Sequence, residues 1–205
     1  MRRLKIALIS RRYWEENHFG DEEGGATQQL AEAVAAMGHE VIVLSQSPDV
    51  RKLKKIPIGH LETWVSPRDR HRNLVVAVRD RMARKRYFQP HIFSDVLALR
   101  DFLAKRGPFD VIWAHAETPD GLTVALAARQ KIKVPPMLVQ TQHLPCRYAK
   151  GLPVFIEKLP LDCAFRQASR ILASSELVVA NLAKFATPGH SAEDLRAKVR
   201  VVYPN

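Results

Sequence analysis

Three residue types at the ends of apolar runs could do chemistry in this chain: a glycine pair, two histidines and a glutamate. Gly24 and Gly25, in "GDEEGGATQQL", close a loop and open a helical stretch. Glycine lets the backbone approach a ligand closely, and the free N–H groups of a helix start attract anions. A phosphate-bearing ligand is the reading this suggests. The pair lacks the Gly-x-Gly-x-x-Gly spacing of a dinucleotide fingerprint. Asp21, Glu22 and Glu23, just before it, would repel a diphosphate unless they turn to solvent or to hydroxyls. His143 follows the run "PMLVQTQ", past the C-terminal end of an expected parallel strand, where open α/β sheets bind ligands. Its imidazole can hydrogen-bond hydroxyls or stabilise developing charge, which makes it the catalytic candidate. His115 stands at another strand end, and Glu117, two residues on, can accept hydrogen bonds from a hydroxyl of an acceptor. Ser174, Ser175 and Glu176 read more simply as a helix cap.

Several short apolar runs must position these groups. Lys5–Ser10, Glu40–Leu44, Leu61–Val65, Val111–His115, Met137–Gln142, Arg170–Ser174 and Val199–Tyr203 are expected strands. Most are continuously apolar rather than alternating, as when helices cover both faces of a sheet. Between them, "GGATQQLAEAVAAMGH" places Leu30, Val34 and Met37 on one helical stripe, stopped by Gly38. A second helix starts with Ser94 or Asp95 as cap and ends at Gly107-Pro108. Strand–helix alternation with short turns predicts an α/β fold: a Rossmann-like, doubly wound, mostly parallel sheet of about seven strands in one domain.

Composition narrows the function classes. A 205-residue chain with 46% hydrophobic residues can bury a full core. No apolar run approaches the roughly 20 residues that span a bilayer. The opening "MRRLKIALIS" is too short in its apolar part for a signal peptide and reads as a first strand, so a cytoplasmic location is expected. The two cysteines, Cys146 and Cys163, form no metal-type or redox spacing, and no metal is called for.

Charge is concentrated. Between Arg51 and Arg106, 15 Lys and Arg stand against 5 Asp and Glu, a net of +10 out of the chain's +11. Inside this segment, Leu74, Val75, Val78, Met82 and Phe88 form an apolar helix edge, with Arg79, Arg81, Arg84, Lys85 and Arg86 around it. Basic amphipathic helices bind anionic surfaces, so a membrane or another anionic partner is expected to meet these cations. Nucleic acid would be the rival partner, but aromatics do not interleave with the cations as a stacking platform requires. A nicotinamide-dependent oxidoreductase lacks both the glycine fingerprint and an acidic residue after the second strand, where Ser45-Gln46 stand instead.

In order along the chain, the glycine pair, "MGHEVIVL" (37–44), "FDVIWAH" (109–115), "PMLVQTQH" (136–143) and "ASRILASSE" leading to "VRVVYPN" carry a resemblance. Together they resemble the N-terminal half of retaining GT-B glycosyltransferases of family 4. The resemblance covers the whole chain, 1–205, as the acceptor-side Rossmann-like domain. It implies a donor-binding C-terminal domain absent from this sequence, whose paired-glutamate motif is not found here. The implied activity moves a sugar from a nucleotide-sugar donor to a sugar or lipid-linked acceptor, such as a cell-envelope glycan. Donor contacts then fall to Gly24 and Gly25, the catalytic role to His143 and acceptor contacts to His115 and Glu117. A general base is not demanded of Glu117, since such enzymes are thought to use the departing phosphate. No cofactor beyond the donor substrate is implied, and peripheral attachment at the inner membrane face fits a lipid-linked acceptor. The chain alone is expected to bind donor weakly and to be inactive. A basic Rossmann-like nucleic-acid or regulatory module is the alternative.

Overall fold

Along strand β1 (Lys5–Ile9) successive side chains enter different hydrophobic cores, Ala7 and Ile9 on one face and Ile6 and Leu8 on the other. Strand β2 (Glu40–Ser47) does the same, with Ile42 and Leu44 opposite Val41 and Val43. Burial on both faces is why these runs are apolar throughout rather than alternating. The computed structural model describes residues 2–11, 13, 22–58, 60–67, 74–87, 91–141, 152–184 and 191–202.

Helix α1 (Glu22–Ala36) follows β1, and after β2 come β3 (Lys54–Ile58), β4 (Leu61–Pro67), α2 (Leu74–Tyr87) and α3 (Ile92–Arg106). The chain continues through β5 (Val111–Ala114), a π-turn (Glu117–Gly121), α4 (Leu122–Arg129), β6 (Met137–Thr141) and α5 (Leu152–Gln167). It closes with β7 (Arg170–Ala173), α6 (Glu176–Lys184), α7 (Ala192–Lys198) and β8 (Val199–Val201). The eight strands form one sheet in the order β3-β4-β2-β1-β5-β6-β7-β8. Every neighbouring pair is parallel except β3–β4. The α/β, Rossmann-like expectation is therefore met, with one strand more than the sequence suggested.

That extra strand is an edge. Pro57 lies in β3, where the missing N–H costs no ladder bond, and Lys54 and Lys55 stay exposed along it. Glu62 on β4 fastens the hairpin, accepting from Lys55 Nζ and Trp64 Nε1 at 2.7 Å each and pairing Arg106 Nε at 2.6 Å. Burial alone would raise its carboxyl pKa, but the bonds from Lys55 and Trp64 and the nearby cations outweigh it and lower the pKa.

Two helix readings need correction. Of the stripe expected on α1, Val34 packs against the core, whereas Leu30 and Met37 are exposed and Thr27 and Ala31 are buried. Ala31 lies in one core with Leu8 and Val43. Ser94 and Asp95 do not cap α3. His91, with φ 65°, holds the N-cap position, and both side chains point inward from the first turn. Gly38, with φ +92°, ends α1 as expected, in a conformation that costs glycine little. Ser175 caps α6 through its Oγ, which accepts from Val178 N at 3.3 Å.

Candidate functional site

The motifs divide between the two ends of the sheet. At the N-terminal end they are structural: His39 Nδ1 accepts from Leu4 N at 3.2 Å, and Asp110 accepts from Lys5 N at 2.8 Å. These bonds fix the entry of β1 and explain the polar residues that introduce "HEVIVL" and "DVIWA". The other candidates that the structure describes near the sheet lie at its C-terminal end, where parallel strands of open sheets present ligand sites.

His115 directly follows β5. Its N–H donates to Ile9 O at 2.9 Å, which ties it to the end of β1. Its Nε2 lies 2.9 Å from Thr27 Oγ1, a buried hydroxyl two residues beyond Gly25. The glycine pair itself lies within the first turn of α1 rather than in a loop before it. His115 thus joins the end of β5 to the glycine-bearing helix. Glu117, in the π-turn, is buried and accepts a hydrogen bond from Thr141 Oγ1, at the last residue of β6. His143 is two residues further on and lies outside the described residues. The structure therefore gathers His115, Glu117, Thr27 and Thr141 where β1, β5 and β6 end.

Gly121 closes the π-turn in a tight seat. A Cβ there would stand 3.1 Å from Ala164 Cβ on α5, 3.3 Å from Ala116 O and 3.4 Å from Val139 Cγ2, so a larger residue would have to push these neighbours by a few tenths of an ångström.

Asp120 belongs to a polar cluster that the sequence did not reveal. Its Oδ1 accepts from Arg11 N at 3.1 Å, Arg11 Nε donates to Gln46 Oε1 at 2.7 Å, and Gln46 Nε2 donates to Asp95 Oδ1 at 2.5 Å. Arg11 also pairs with Asp95 Oδ2 at 3.4 Å. Burial pushes the Asp120 carboxyl up to about 7, against the opposing pull of the Arg11 N–H and guanidinium. The only sequence signal was the polar Ser45-Gln46 ending an apolar strand, since the partners come from distant segments.

A small cavity of about 20 Å³ lies among Ile9, Arg11, Gln46, Asp95 and Asp120. It admits a water-sized guest, far short of the roughly 300–1,000 Å³ of an organic ligand's pocket. The polar cluster links the ends of β1 and β2 to α3 and the π-turn. Among the described residues no group of three His, Cys, Asp or Glu side chains could hold a metal ion. Cys163 is buried, and desolvation raises its thiol pKa; Cys146 lies outside the described residues.

The basic cations stand elsewhere, on α2. Arg79, Arg81, Arg84, Lys85 and Arg86 are all exposed, and Phe88 lies outside the described residues. Among the described residues no helix is long and apolar enough to cross a membrane.

A family model described as "Glycosyl transferase 4-like domain" matches residues 24–193. No curated protein matches the sequence closely enough to count as a relative. Among solved structures, sucrose-phosphate synthase from Thermosynechococcus elongatus is similar with a TM-score of 0.61 at 17% identity, covering 98% of this chain and 48% of that one. Anabaena HepE, in complex with UDP and glucose, follows with a TM-score of 0.54 at 14% identity, covering 98% and 44%. UDP-GlcNAc 2-epimerase from Methanocaldococcus jannaschii gives a TM-score of 0.50 at 13% identity, covering 98% and 45%. Identities this low speak for the fold. The chain spans a little under half the length of each of these structures.

Proposed function

We propose, from the premise that this chain belongs to the glycosyl transferase 4-like domain family, that it is the acceptor-side half of a retaining glycosyltransferase. One observation carries the reading. At the C-terminal end of the parallel strands, His115 is bonded to Thr27, two residues beyond Gly25, and Glu117 is bonded to Thr141 at the end of β6.

A nucleotide-sugar donor sits across a cleft, held mainly by a second Rossmann-like domain, with its diphosphate near Gly24 and Gly25. The backbone N–H groups of that first helical turn face the developing charge of the leaving group. In the transfer, the bond from the sugar's anomeric carbon to the diphosphate oxygen breaks. A bond from that carbon to an acceptor hydroxyl forms on the same face, and the hydroxyl proton leaves with the departing phosphate. His143 contacts the transferring sugar. His115 and Glu117 shape the acceptor side, and their bonds to Thr27 and Thr141 fix their orientation before substrate arrives. Closing the cleft excludes water, which would otherwise hydrolyse the donor.

The test is nucleotide release from a panel of nucleotide-sugars, with and without glycan and lipid-linked acceptors. The chain alone should show negligible turnover, and a protein in which it is joined to a donor-binding domain should release nucleotide only when acceptor is present. Robust transfer by the 205-residue chain, or release that ignores the acceptor as in an epimerase or hydrolase, would overturn the proposal.

A further inference from the structure

The apolar edge of α2 is not its buried face. Val76, Asp80 and Ala83 face the protein, whereas Leu74, Val75, Val78 and Met82 are 78%, 61%, 49% and 67% exposed. At 3.6 residues per turn, these four fall within an arc of about 100° on the outward side. Hydrophobicity would have turned the helix the other way, so something stronger orients it.

Asp80 does so. It is 2% exposed, and its carboxylate accepts from Phe93 N and from Ser94 Oγ, each at 2.6 Å. It satisfies the start of α3 in place of a local cap, where the His91 side chain makes no capping bond. Rolling α2 to bury its apolar edge would break both bonds and leave Phe93 N and Ser94 Oγ without this acceptor. The outward stripe is thus fixed by a buried polar anchor.

Cations rim this stripe. By helical position, Arg79 and Arg86 flank one side, Arg81 and Arg84 the other, and Lys85 lies at its C-terminal end. All five are exposed. Arg79 lies over the Phe93 ring at 5.9 Å, which holds its charge near the rim.

We propose that this face of α2 docks on an anionic lipid surface. Leu74, Val75, Val78 and Met82 would enter the boundary between headgroups and acyl chains, while the flanking cations meet anionic headgroups. The pattern favours lipid over other occupants. A nucleic-acid backbone offers nothing for an aliphatic centre to bury in, and none of the described side chains of α2 is an aromatic that could stack on bases. A second copy in a two-fold pairing would set this cationic rim against itself. The docking stands independently of the transfer chemistry proposed above.

The test is co-sedimentation of the protein with vesicles of phosphatidylcholine, and of equal parts phosphatidylcholine and phosphatidylglycerol. Binding is expected only to the anionic vesicles and should weaken as salt rises. Each cation near the surface contributes about fivefold, so Arg81→Ala/Arg84→Ala/Lys85→Ala together should weaken binding about a hundredfold. Val78→Asp/Met82→Asp should remove it while leaving the thermal melt of the protein unchanged, because both positions face solvent. Absence of binding to anionic vesicles, or binding that survives both sets of substitutions, would overturn the proposal. So would binding to RNA, or pairing of the chain in sedimentation velocity, that is lost in Val78→Asp/Met82→Asp while vesicles are not bound.

Discussion

Replacing Asp120 by asparagine should make the protein's stability less dependent on pH, and the direction follows from its surroundings. Asp120 is 4% exposed, and burial raises its carboxyl to about 7, well above the roughly 3.9 of an unfolded aspartate. The folded state therefore holds a proton that the unfolded state has released. Its stabilising effect is complete below the unfolded pKa and is lost as pH rises through the folded one. For these two values, the loss between about pH 5 and about pH 8 comes to about 2–3 kcal/mol. The asparagine side chain would keep an oxygen for the Arg11 N–H and carries no titrating proton, so the Asp120→Asn variant should gain that much on the wild type over the same interval. Urea unfolding at both pH values, followed by Trp fluorescence, measures the difference directly. A wild-type-to-variant gap that stays flat with pH would refute the reasoning. A variant that falls behind towards high pH would also refute it, by showing that Arg11 keeps Asp120 ionised.

Other substitutions probe the supports of the site. Asp80→Ala removes the acceptor for Phe93 N and Ser94 Oγ, and should cost about 2 kcal/mol with faster hydrogen exchange localised to α2 and the start of α3. Thr27→Val keeps the shape but deletes the hydroxyl bonded to His115 Nε2. It should cost about 1–3 kcal/mol in denaturant unfolding, and a Thr27→Ser variant, which keeps the hydroxyl, should recover most of that. Phe102→Ala empties a fully buried position stacked on Phe109 at 5.3 Å, and should cost about 3–5 kcal/mol in thermal or urea unfolding.

What could be read in advance follows from the range of each interaction. Strands β1, β2, β5 and β6 were legible because burial on both faces leaves an apolar run that needs no knowledge of partners. β3 was not, since Lys54, Lys55 and Pro57 are what an edge strand tolerates and what a loop also contains. On α1 the apolar stripe was legible only in part, since Val34 packs on the core while Leu30 and Met37 are exposed. The apolar edge of α2 was legible as an edge, but the bonds of Asp80 that turn it outward were not. That His115 and Glu117 stand at and just beyond a strand end was legible in the sequence. Their partners Thr27 and Thr141, 88 and 24 residues away, were not. The Arg11–Gln46–Asp95–Asp120 cluster was out of reach, for Arg11 and Asp120 are 109 residues apart and meet only through the sheet order.

In the proposed enzyme the start of α1 and the ends of β5 and β6 form one wall of a nucleotide-sugar cleft. Amide NMR of the chain titrated with a panel of nucleotide-sugars tests it most directly. Weak binding is expected, with shifts gathered at Gly24 to Thr27, His115 to Thr118, Asp120 and Thr141. That placement would be contradicted if no nucleotide-sugar shifts these amides, or if the shifts gather around His39 and Asp110 at the opposite end of the sheet.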